Sequence, residues 1–534
     1  MATEPPAEPA RAQRAWRAAC PNCGAPVDFR SAASTTAVCS FCRSTLARDG
    51  ETLQRIGQAA ELFDDHSPLQ LGASGRLQGI AFTLVGRLQM AYAEGTWNEW
   101  HVLFDNGRSG WLSEDNGAYV LGFDTALPGD APPFLELQPG RRLTLAGSSW
   151  DVASLVLAHV LSAQGELPRR PPPSTLEYGV VDLRNAQGEV ATLDYADPAG
   201  VQFSVGRSAS LAELAMQGLR ETSEKTLRAG ALNCPSCGAA LELKLAGTQS
   251  LACPQCHALI DVSQGTGAQM RAVQQSAAPA GGRGPTLPIG QTGRLSIGAQ
   301  GQDAPLDWQV VGYLLRQDEP EDGESPTPWS EYLLFNRTAG FAFLVDSSEG
   351  WSLVRPLTGA PETRGEQARW QGEPYRQRYS YVARVTWVEG EFYWRVRRDE
   401  RARVTDYAGE GPARGKLMSR EQTGSEVTWS AGRQMPAAEV AQAFGLAGGS
   451  LRPDVKPLAS GGGLSFVGLL VAFFALLIIV LLFTRCAADD DCDDVAQAYG
   501  AQSNEYRQCV NARRTGGSTG GGSWGGSSGG GGHK

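Results

Sequence analysis

Hydrophobic side chains follow two different patterns along this chain of 534 residues. Most of the chain carries short apolar runs, rich in β-branched and aromatic residues and separated by turns such as Asp105-Asn-Gly107. Such runs are typical of antiparallel hairpins, and clear examples are 82–85, 102–104, 152–161 and 379–388. The second pattern is one continuous apolar run without a charge, at 464–483. The sequence therefore predicts a mainly β protein with one transmembrane helix.

The continuous run is twenty residues long, and Ser465 is its only polar side chain. A helix of that length covers roughly the 30 Å hydrocarbon core of a bilayer. The alternative is a buried core helix, which usually is shorter or shows a polar edge. The N-terminus has no apolar signal segment, so we expect a single-pass protein of the cytoplasmic membrane. In that topology the bulk before the span is cytoplasmic and the short tail lies outside.

Eight of the eleven cysteines form two groups with identical spacing, each made of two CxxC knuckles separated by fifteen residues. The ligands are Cys20, Cys23, Cys39 and Cys42 in the first group, and Cys234, Cys237, Cys253 and Cys256 in the second. Two knuckles supply the four thiolates that a tetrahedral zinc site needs. Disulfides and a thioredoxin-like redox pair are the alternatives, which a reducing cytoplasm and the doubled knuckles disfavour. We therefore expect two structural Zn²⁺ ions. His257, next to Cys256, is interpreted as an exposed knuckle residue, and its alternative role is that of a substitute ligand.

Comparison of the chain with itself shows that each cysteine group precedes a copy of the same unit. The matching segments keep their order over about 150 residues of each copy. They are Leu71-Gly-Ala-Ser-Gly-Arg-Leu77 with Ile289-Gly-Gln-Thr-Gly-Arg-Leu295, Phe82-Thr-Leu-Val-Gly86 with Trp308-Gln-Val-Val-Gly312, Trp97-Asn-Glu-Trp100 with Trp329-Ser-Glu-Tyr332, Gly165-Glu-Leu167 with Gly390-Glu-Phe392, and Val201-Gln-Phe-Ser-Val-Gly-Arg207 with Val427-Thr-Trp-Ser-Ala-Gly-Arg433. We name the two repeats copy 1 and copy 2. Each is expected to close on a short helix, the first capped at Ser210 and the second beginning near Pro436.

These patterns divide the chain into ten predicted segments. They are a disordered N-terminus (1–16), zinc ribbon 1 (17–49), copy 1 (66–225), zinc ribbon 2 (230–264), a linker (265–287), copy 2 (288–446), a flexible tether (447–463), the transmembrane helix (464–484), an acidic segment with cysteines (485–512) and a disordered Gly-rich tail (513–534). The predicted fold class is thus two zinc ribbons and two antiparallel β-rich domains with short helices, plus one span.

The repeated motifs resemble the uncharacterised bacterial domain-of-unknown-function family numbered 4178. The resemblance lies in the Gly-Arg-Leu start, the Val-Gly pair after an apolar strand, the Trp-x-Glu-aromatic strand, and the later Gly-Glu and Ser-x-Gly features. Copy 1 departs from the pattern at its Pro-rich stretch, 168–173. The resemblance implies a fold, combined in other members with zinc ribbons and a membrane span, and it implies no activity.

The most site-like feature is the pair Trp97 and Glu99, with its counterpart Trp329 and Glu331. Residues two apart share a face of a strand, so each carboxylate would lie beside an indole. Such a carboxylate can act as a general acid if burial raises its pKa. The alternative is a core aromatic residue beside a glutamate that pairs with an arginine such as Arg76 or Arg294. The recurring Gly-Glu pairs at Glu166 and Glu391 are interpreted as hairpin turns.

Charge and histidine content restrict the possible functions. The formal net charge is −10, which disfavours general nucleic-acid binding because phosphate contacts need a basic face. His101 and His159 have no histidine counterparts in copy 2, so the copies share no His-based mechanism. We therefore expect a membrane-anchored, non-enzymatic interaction or sensing module whose tandem units raise its avidity for a protein partner. The alternatives are an enzyme using Glu99 or Glu331, and binding of nucleic acid or anionic lipid by the basic first ribbon.

The tail contains three cysteines among acidic residues, at positions 486, 492 and 509. An oxidising exterior would allow Cys492 and Cys509 to form a disulfide, leaving Cys486 free or paired between chains. A cytoplasmic tail with three reduced thiols is the alternative.

Overall fold

The computed structural model describes two cysteine-rich ribbons and both repeats. The described residues are 16–31, 34–49, 52–59, 67–93, 95–115, 118–220, 232–245, 248–262, 271–275, 284–297, 304–320, 325–337, 339–447 and 451. Within these ranges no helix has the length and apolar character needed to cross a membrane. The predicted span at 464–484, the acidic segment with Cys486, Cys492 and Cys509, and the Gly-rich tail lie outside the described residues.

Five short strands form the first ribbon and its extension. They are β1 (Trp16–Ala19), β2 (Pro26–Phe29), β3 (Thr36–Val38), β4 (Ser44–Asp49) and β5 (Thr52–Gln58). The second ribbon repeats this arrangement with β16 (Leu232–Asn233), β17 (Ala240–Leu241), β18 (Ser250–Ala252), β19 (Leu259–Asp261) and β20 (Arg271–Val273). In each ribbon the first two strands pair with each other, and the last three form a second antiparallel sheet.

Copy 1 is a closed antiparallel barrel. Its strands are β6 (Ser74–Leu77), β7 (Ile80–Tyr92), β8 (Gly95–Phe104), β9 (Ser109–Asp115), β10 (Ala118–Asp124), β11 (Arg142–Leu145), β12 (Ser148–Leu167), β13 (Tyr178–Arg184), β14 (Glu189–Asp194) and β15 (Gln202–Ser208). Hydrogen bonds join them in the ring β7–β8–β9–β10–β15–β14–β13–β12 and back to β7. Closure leaves no unpaired edge among these eight strands.

Copy 2 closes in the same way. Its elements are β21 (Thr292–Leu295), β22 (Leu306–Asp318), β23 (Pro328–Asn336), β24 (Gly340–Ser347), β25 (Gly350–Leu357), β26 (Glu362–Arg364), β27 (Gln367–Trp370), β28 (Glu373–Phe392), β29 (Arg401–Gly409), β30 (Lys416–Thr423), β31 (Glu426–Met435) and the helix α1 (Ala437–Ala443). The ring runs β22–β23–β24–β25–β31–β30–β29–β28 and back to β22. The repeat inferred from sequence is therefore a repeat of one closed barrel.

Each barrel has an apolar core inside and a second one on its outer surface. In copy 1, Met90, Trp97 and Val180 belong to the inner core, while Trp100 and Leu112 pack outside against Leu69 and Leu214. The alternation follows from the pleat of a strand, which turns successive side chains to opposite faces. Both faces of these strands are thus buried, which explains why their sequences are apolar in continuous runs.

The segments after the barrels differ from each other. Helix α1 begins after Pro436 as expected, and its residue Val440 and its C-cap Phe444 pack on the outer core of copy 2. At the equivalent place in copy 1 the predicted helix is wrong: the chain makes a single turn. The capping interactions of that turn are formed, since the Glu213 carboxylate accepts from the Ser210 N–H and the Glu213 N–H donates to Ser210 Oγ. The turn does not continue into a helix, because Ala215 has a left-handed backbone conformation, with φ 46°.

The two barrels are joined by backbone hydrogen bonds. The Ala360 N–H donates to the Asn185 carbonyl at 3.0 Å, and the Leu155 N–H donates to the Ser425 carbonyl at 3.1 Å. The Arg184 guanidinium donates to the Leu357 carbonyl at 3.0 Å. The copies therefore contact each other directly, in addition to being linked by the chain between them.

Candidate functional sites

The four thiols of the first ribbon converge on one point. Cys20 Sγ lies 3.6 Å from Cys42 Sγ, and Cys23 Sγ lies 3.7 Å from Cys39 Sγ. All four sulfur atoms lie within 4.8 Å of one another. A tetrahedral zinc ion with Zn–S bonds of about 2.3 Å sets its sulfurs about 3.8 Å apart, whereas a disulfide needs about 2.05 Å. This group is built to hold one metal ion.

The second ribbon has the same geometry. Cys234 Sγ lies 3.7 Å from Cys256 Sγ, and Cys237 Sγ lies 3.7 Å from Cys253 Sγ. These four sulfurs also lie within 4.8 Å of one another. Two four-cysteine groups therefore precede the two barrels, as the spacing predicts.

Each knuckle ends in a residue with left-handed backbone. These residues are Gly24 (φ 75°), Arg43 (φ 58°), Gly238 (φ 76°) and His257 (φ 57°). The N–H of each donates at 2.8–2.9 Å to the carbonyl of the first cysteine in its knuckle. His257 thus occupies a turn position, its ring lies 5.6 Å from that of Trp387, and Cys256 completes the group of four.

Each ribbon extends the sheet of its barrel. Strand β3 pairs with the end of β12, opposite Gly165 and Glu166. Strand β18 pairs with the end of β28, opposite Glu391 and Phe392. The long strands are twenty residues each, so that one end pairs with the ribbon while the rest closes the barrel.

A buried glutamate fixes each of these contacts. Glu166 accepts from the Arg30 N–H at 2.6 Å and from the Ser31 N–H at 3.1 Å. Glu391 accepts from the Lys244 and Leu245 N–H groups at 2.9 and 3.0 Å. Burial raises the pKa of both carboxyls, and the backbone donors partly offset that rise.

The interpretation of the Gly-Glu pairs as hairpin turns is therefore wrong. Gly165 and Gly390 lie within long strands and have φ values of 70° and 83°. A Cβ atom at either position would come within 2.3 Å of a backbone carbonyl, that of Val85 or of Val311. Both the positive φ and the close approach require glycine, and the bend turns the next residue, the glutamate, toward the ribbon.

His101 is a further buried polar group of copy 1, beneath the ribbon contact. Its Nδ1–H donates to the Glu166 carbonyl at 2.9 Å, and its Nε2 accepts from Ser109 Oγ. Burial lowers the pKa of His101 to about 4. The residue is held as a neutral imidazole between these two partners.

In copy 2 the Trp-Glu pair lies inside the barrel beside an arginine. Trp329 Nε1 donates to Glu331 at 2.7 Å. The Arg316 guanidinium bonds Glu331 at 3.2 Å and Glu421 at 3.0 Å, and its Cζ lies 5.8 Å from the centre of the Trp329 ring. Burial opposes the charge of Arg316, but the two carboxylates outweigh it and raise its pKa. The expected partner Arg294 is therefore wrong, and the arginine that pairs with Glu331 is Arg316.

In copy 1 the equivalent pair borders a cavity. Trp97 Nε1 donates to Glu99 at 2.9 Å, and Ser113 Oγ donates to the other oxygen at 2.6 Å. The expected Arg76 instead lies on the outer hairpin and donates to Gly79. The cavity has a volume of about 80 Å³, and its apolar floor includes Met90. Its polar lining residues are Glu99, Ser113, Asp124, Arg169, Thr192, Asp194, Gln202 and Ser204.

The sequence contained an unused signal for this difference. Val85-Gly86 and Val311-Gly312 match between the copies, and four residues further on Met90 stands where copy 2 has Arg316. An ungapped extension from Val201 and Val427 pairs Asp194 with Arg420, so the equivalence of Asp194 and Glu421 is seen only in the register of the strands. Only the closure of the barrel shows that both positions face the Trp-Glu pair, because these residues come from distant strands.

A family model described as a domain of unknown function (DUF4178) matches the chain twice, at residues 70–211 and 297–437. The two matches coincide with the two closed barrels. No curated protein and no solved structure matches this chain.

Proposed function

We propose that this chain, which belongs to the DUF4178 family, is a non-enzymatic binding module held at the bacterial inner membrane. In this proposal the barrel of copy 1 receives a small molecule, and the barrel of copy 2 is a scaffold. One observation carries the proposal: copy 1 has a cavity of about 80 Å³, whereas Arg316 of copy 2 is buried between the carboxylates of its own barrel. Cavities with an apolar floor and a few placed polar groups are the usual form of ligand sites.

In this proposal the metal sites are structural and hold zinc. Four protein thiolates leave no open position for a substrate, and tetrahedra of four cysteines with this knuckle spacing favour Zn²⁺. A metal in each ribbon would rigidify the loop that Glu166 or Glu391 contacts. The ribbons would thereby brace one end of each barrel.

Anchoring at the membrane rests on the apolar run at 464–483, which is long enough to cross a bilayer. The bulk would face the cytoplasm, where reduced thiols suit metal binding. The tail would then lie outside, with a disulfide between Cys492 and Cys509. A fixed position at the membrane would let the module report a bound molecule to a protein partner.

The enzyme alternative has less support. Glu331 is buried and forms an ion pair with Arg316, so it is not placed to contact a substrate or to donate a proton. Glu99 borders a cavity while its counterpart Glu331 is buried in an ion pair, and this difference disfavours a mechanism common to both copies. Nucleic-acid binding by the first ribbon is also weakened, because Arg17 pairs with Asp28 and Arg48 lies over the Trp16 ring at 4.7 Å.

A cavity-filling variant tests the binding proposal without knowledge of the ligand. Gly122 lines the cavity, and a Cβ there meets its neighbours at ordinary distances of 3.5 Å or more. Gly122 lies opposite Gly206 of β15, and Val354 lies opposite Gly432 of β31. Because Gly206 and Gly432 match between the copies, Val354 is the copy 2 counterpart of Gly122. Gly122→Val should therefore fold normally and occupy the space.

The measurement is ligand-observed NMR on the detergent-solubilised full chain, with a set of small cations, anions and neutral molecules. Binding to the wild type that is lost in Gly122→Val supports the proposal. The control is Gly200→Val, the same change at an exposed turn with open space around it, which should bind as the wild type does. Absence of any binding, or equal binding by Gly122→Val, would overturn it.

A further inference from the structure

The two barrels carry different residues at one inner position. Met90 pairs with Trp97 on one neighbouring strand and with Val160 on the other. Arg316 pairs in the same way with Trp329 and Val385. The backbone surroundings are equivalent, so copy 2 has a guanidinium group where copy 1 has a thioether.

The carboxylates around this position are present in both copies. Glu99 lies opposite Leu88 and Ser113, as Glu331 lies opposite Leu314 and Val345. Asp194 lies opposite Val180 and Gln202, and Glu421 lies opposite Val404 and Thr428 in the same arrangement. Copy 1 therefore keeps both acidic positions that bind the Arg316 guanidinium in copy 2, and the shorter aspartate leaves more space between them.

The charges that line the copy 1 cavity are predominantly negative. Three carboxylates, Glu99, Asp124 and Asp194, line the cavity together with one guanidinium, Arg169, so negative groups outnumber positive ones. Arg169 is held at the mouth, where it lies 3.6 Å from Asp124 and donates to Gln202 at 2.8 Å. The charges of Asp194 and Glu99 also contribute to the raised pKa of Tyr178, after its burial. The inner end of the cavity thus carries a negative potential.

We infer that the cavity of copy 1 binds a small organic cation of the guanidinium class, seated between Glu99 and Asp194 with its flat face toward the Trp97 indole. Arg316 of copy 2 provides the template, since its guanidinium makes these same contacts within the chain. The inference rests on the proposed binding function and adds the chemical class of the ligand. An alkyl substituent on the cation would lie against Met90 and Val180 on the apolar floor.

The lining favours an organic cation over a metal ion. Calcium and magnesium prefer oxygen atoms on all sides, six or more in number, whereas one wall of this cavity is an indole, a thioether and aliphatic side chains. A planar guanidinium instead suits two carboxylates and an aromatic face. The volume also fits, because about 80 Å³ corresponds to roughly five water molecules at ~15 Å³ each, close to the size of a guanidinium group with a short alkyl chain.

Isothermal titration calorimetry on the detergent-solubilised full chain tests the inference with three probes. They are ethylguanidinium, its neutral isostere ethylurea, and propionate as an anion. We expect ethylguanidinium alone to bind the wild type. Glu99→Gln should weaken its binding about tenfold to hundredfold, the range for one charge-assisted hydrogen bond. Met90→Arg should abolish binding by supplying the guanidinium in cis, while the control Leu157→Arg, the same new side chain at an exposed position of β12, should bind as the wild type does.

These outcomes distinguish failure of the guanidinium inference from failure of the proposed binding function. Equal binding of ethylurea, or undiminished binding by Glu99→Gln, overturns the cationic class. Binding of propionate that is lost in Arg169→Gln would assign the cavity to anions. If Met90→Arg fails to fold, Asp194→Asn replaces it and should weaken ethylguanidinium in the same range as Glu99→Gln. If ethylguanidinium does not bind while other molecules do so in a Gly122-dependent manner, the inference fails and the binding function stands.

Discussion

The Glu166 carboxylate accepts a hydrogen bond from the backbone N–H of Ser31 at 3.1 Å, across 135 positions of sequence. Glu391 makes the equivalent contact with Leu245 in the second unit. Each glutamate is the second-last residue of a long barrel strand and accepts hydrogen bonds from backbone N–H groups of a ribbon loop. A ribbon and its barrel are therefore one structural unit, and this unit occurs twice in the chain.

Removing this contact should destabilise the second unit. Glu391→Gln retains the shape of the side chain but loses the charge that Lys244 and Leu245 donate to. We expect a decrease in the free energy of unfolding of about 1.5–3 kcal/mol, the range for hydrogen bonds to charged groups. Urea unfolding measures it, and the exposed Glu362→Gln serves as the control. Equal stability of the two variants would show that the glutamate does not hold the ribbon.

Loss of Arg316 should be more costly still. Arg316→Met leaves Glu331 and Glu421 buried without their shared cation, and breaking a buried ion pair typically costs about 3–5 kcal/mol. Copy 1 has a native thioether, that of Met90, at the position of Arg316. Met90→Leu is therefore a matched control, and it should lower the free energy of unfolding by less than about 1.5 kcal/mol. The urea midpoint of each variant gives the comparison. A loss in Arg316→Met no larger than in the control would mean that the triad does not stabilise the barrel.

The stability contribution of His101 should depend on pH. Its pKa is about 4 in the folded protein and 6.5 as the reference value, so the unfolded chain takes up a proton first as the pH falls. The contribution is full above pH 6.5 and is lost progressively down to about pH 4, by roughly 3 kcal/mol in total. Stability of the wild type relative to His101→Asn, measured by urea unfolding at several pH values, should decrease over that window.

Glu166 and Glu391 act with the opposite sign, because burial raises their pKa. Glu166 and Glu391 are present in both the wild type and His101→Asn. Their contribution therefore cancels when the free energies of unfolding of the two proteins are subtracted. A difference that stays constant from pH 7 to pH 4 would contradict the neutral, buried state of His101.

Zinc content should be two ions per chain. Cys253→Ser removes one ligand of the second ribbon and should lower bound zinc by one ion. Cys486→Ser, which changes a cysteine of the tail, should leave the content unchanged. Metal analysis of the purified protein provides the number, and less than one zinc in the wild type would rule out the ribbon assignment.

The tail should be outside the cell, with Cys492 joined to Cys509. A membrane-impermeant thiol reagent applied to intact cells should then label these cysteines only after reduction. A bridge across the sixteen residues between them would contribute roughly 3 kcal/mol on the chain-entropy model. Cys492→Ser should expose Cys509 to labelling without reduction. Absence of labelling in both states would place the tail on the cytoplasmic side.

The sequence by itself determined the features whose signals are local. Fixed knuckle spacing identified both four-cysteine groups, because a CxxC turn directs two thiolates to one point without help from the rest of the fold. Ordered matches between the copies identified the duplication, and the apolar runs indicated strands. The two-residue spacing also put Trp97 beside Glu99 and Trp329 beside Glu331, since that proximity depends only on the pleat.

Tertiary structure decided which distant residues meet. Closure of the barrel brings Arg316 of β22 against Glu421 of β30, a contact that no local pattern encodes. The bends at Gly165 and Gly390 arise from the close approach of another strand, so a Gly-Glu pair that resembles a turn instead lies in a strand and holds a ribbon. The interior difference between the copies has the same cause. Met90, Asp194 and Gly122 stand where copy 2 has Arg316, Glu421 and Val354, and these replacements form a cavity only because the closed sheet directs their positions inward.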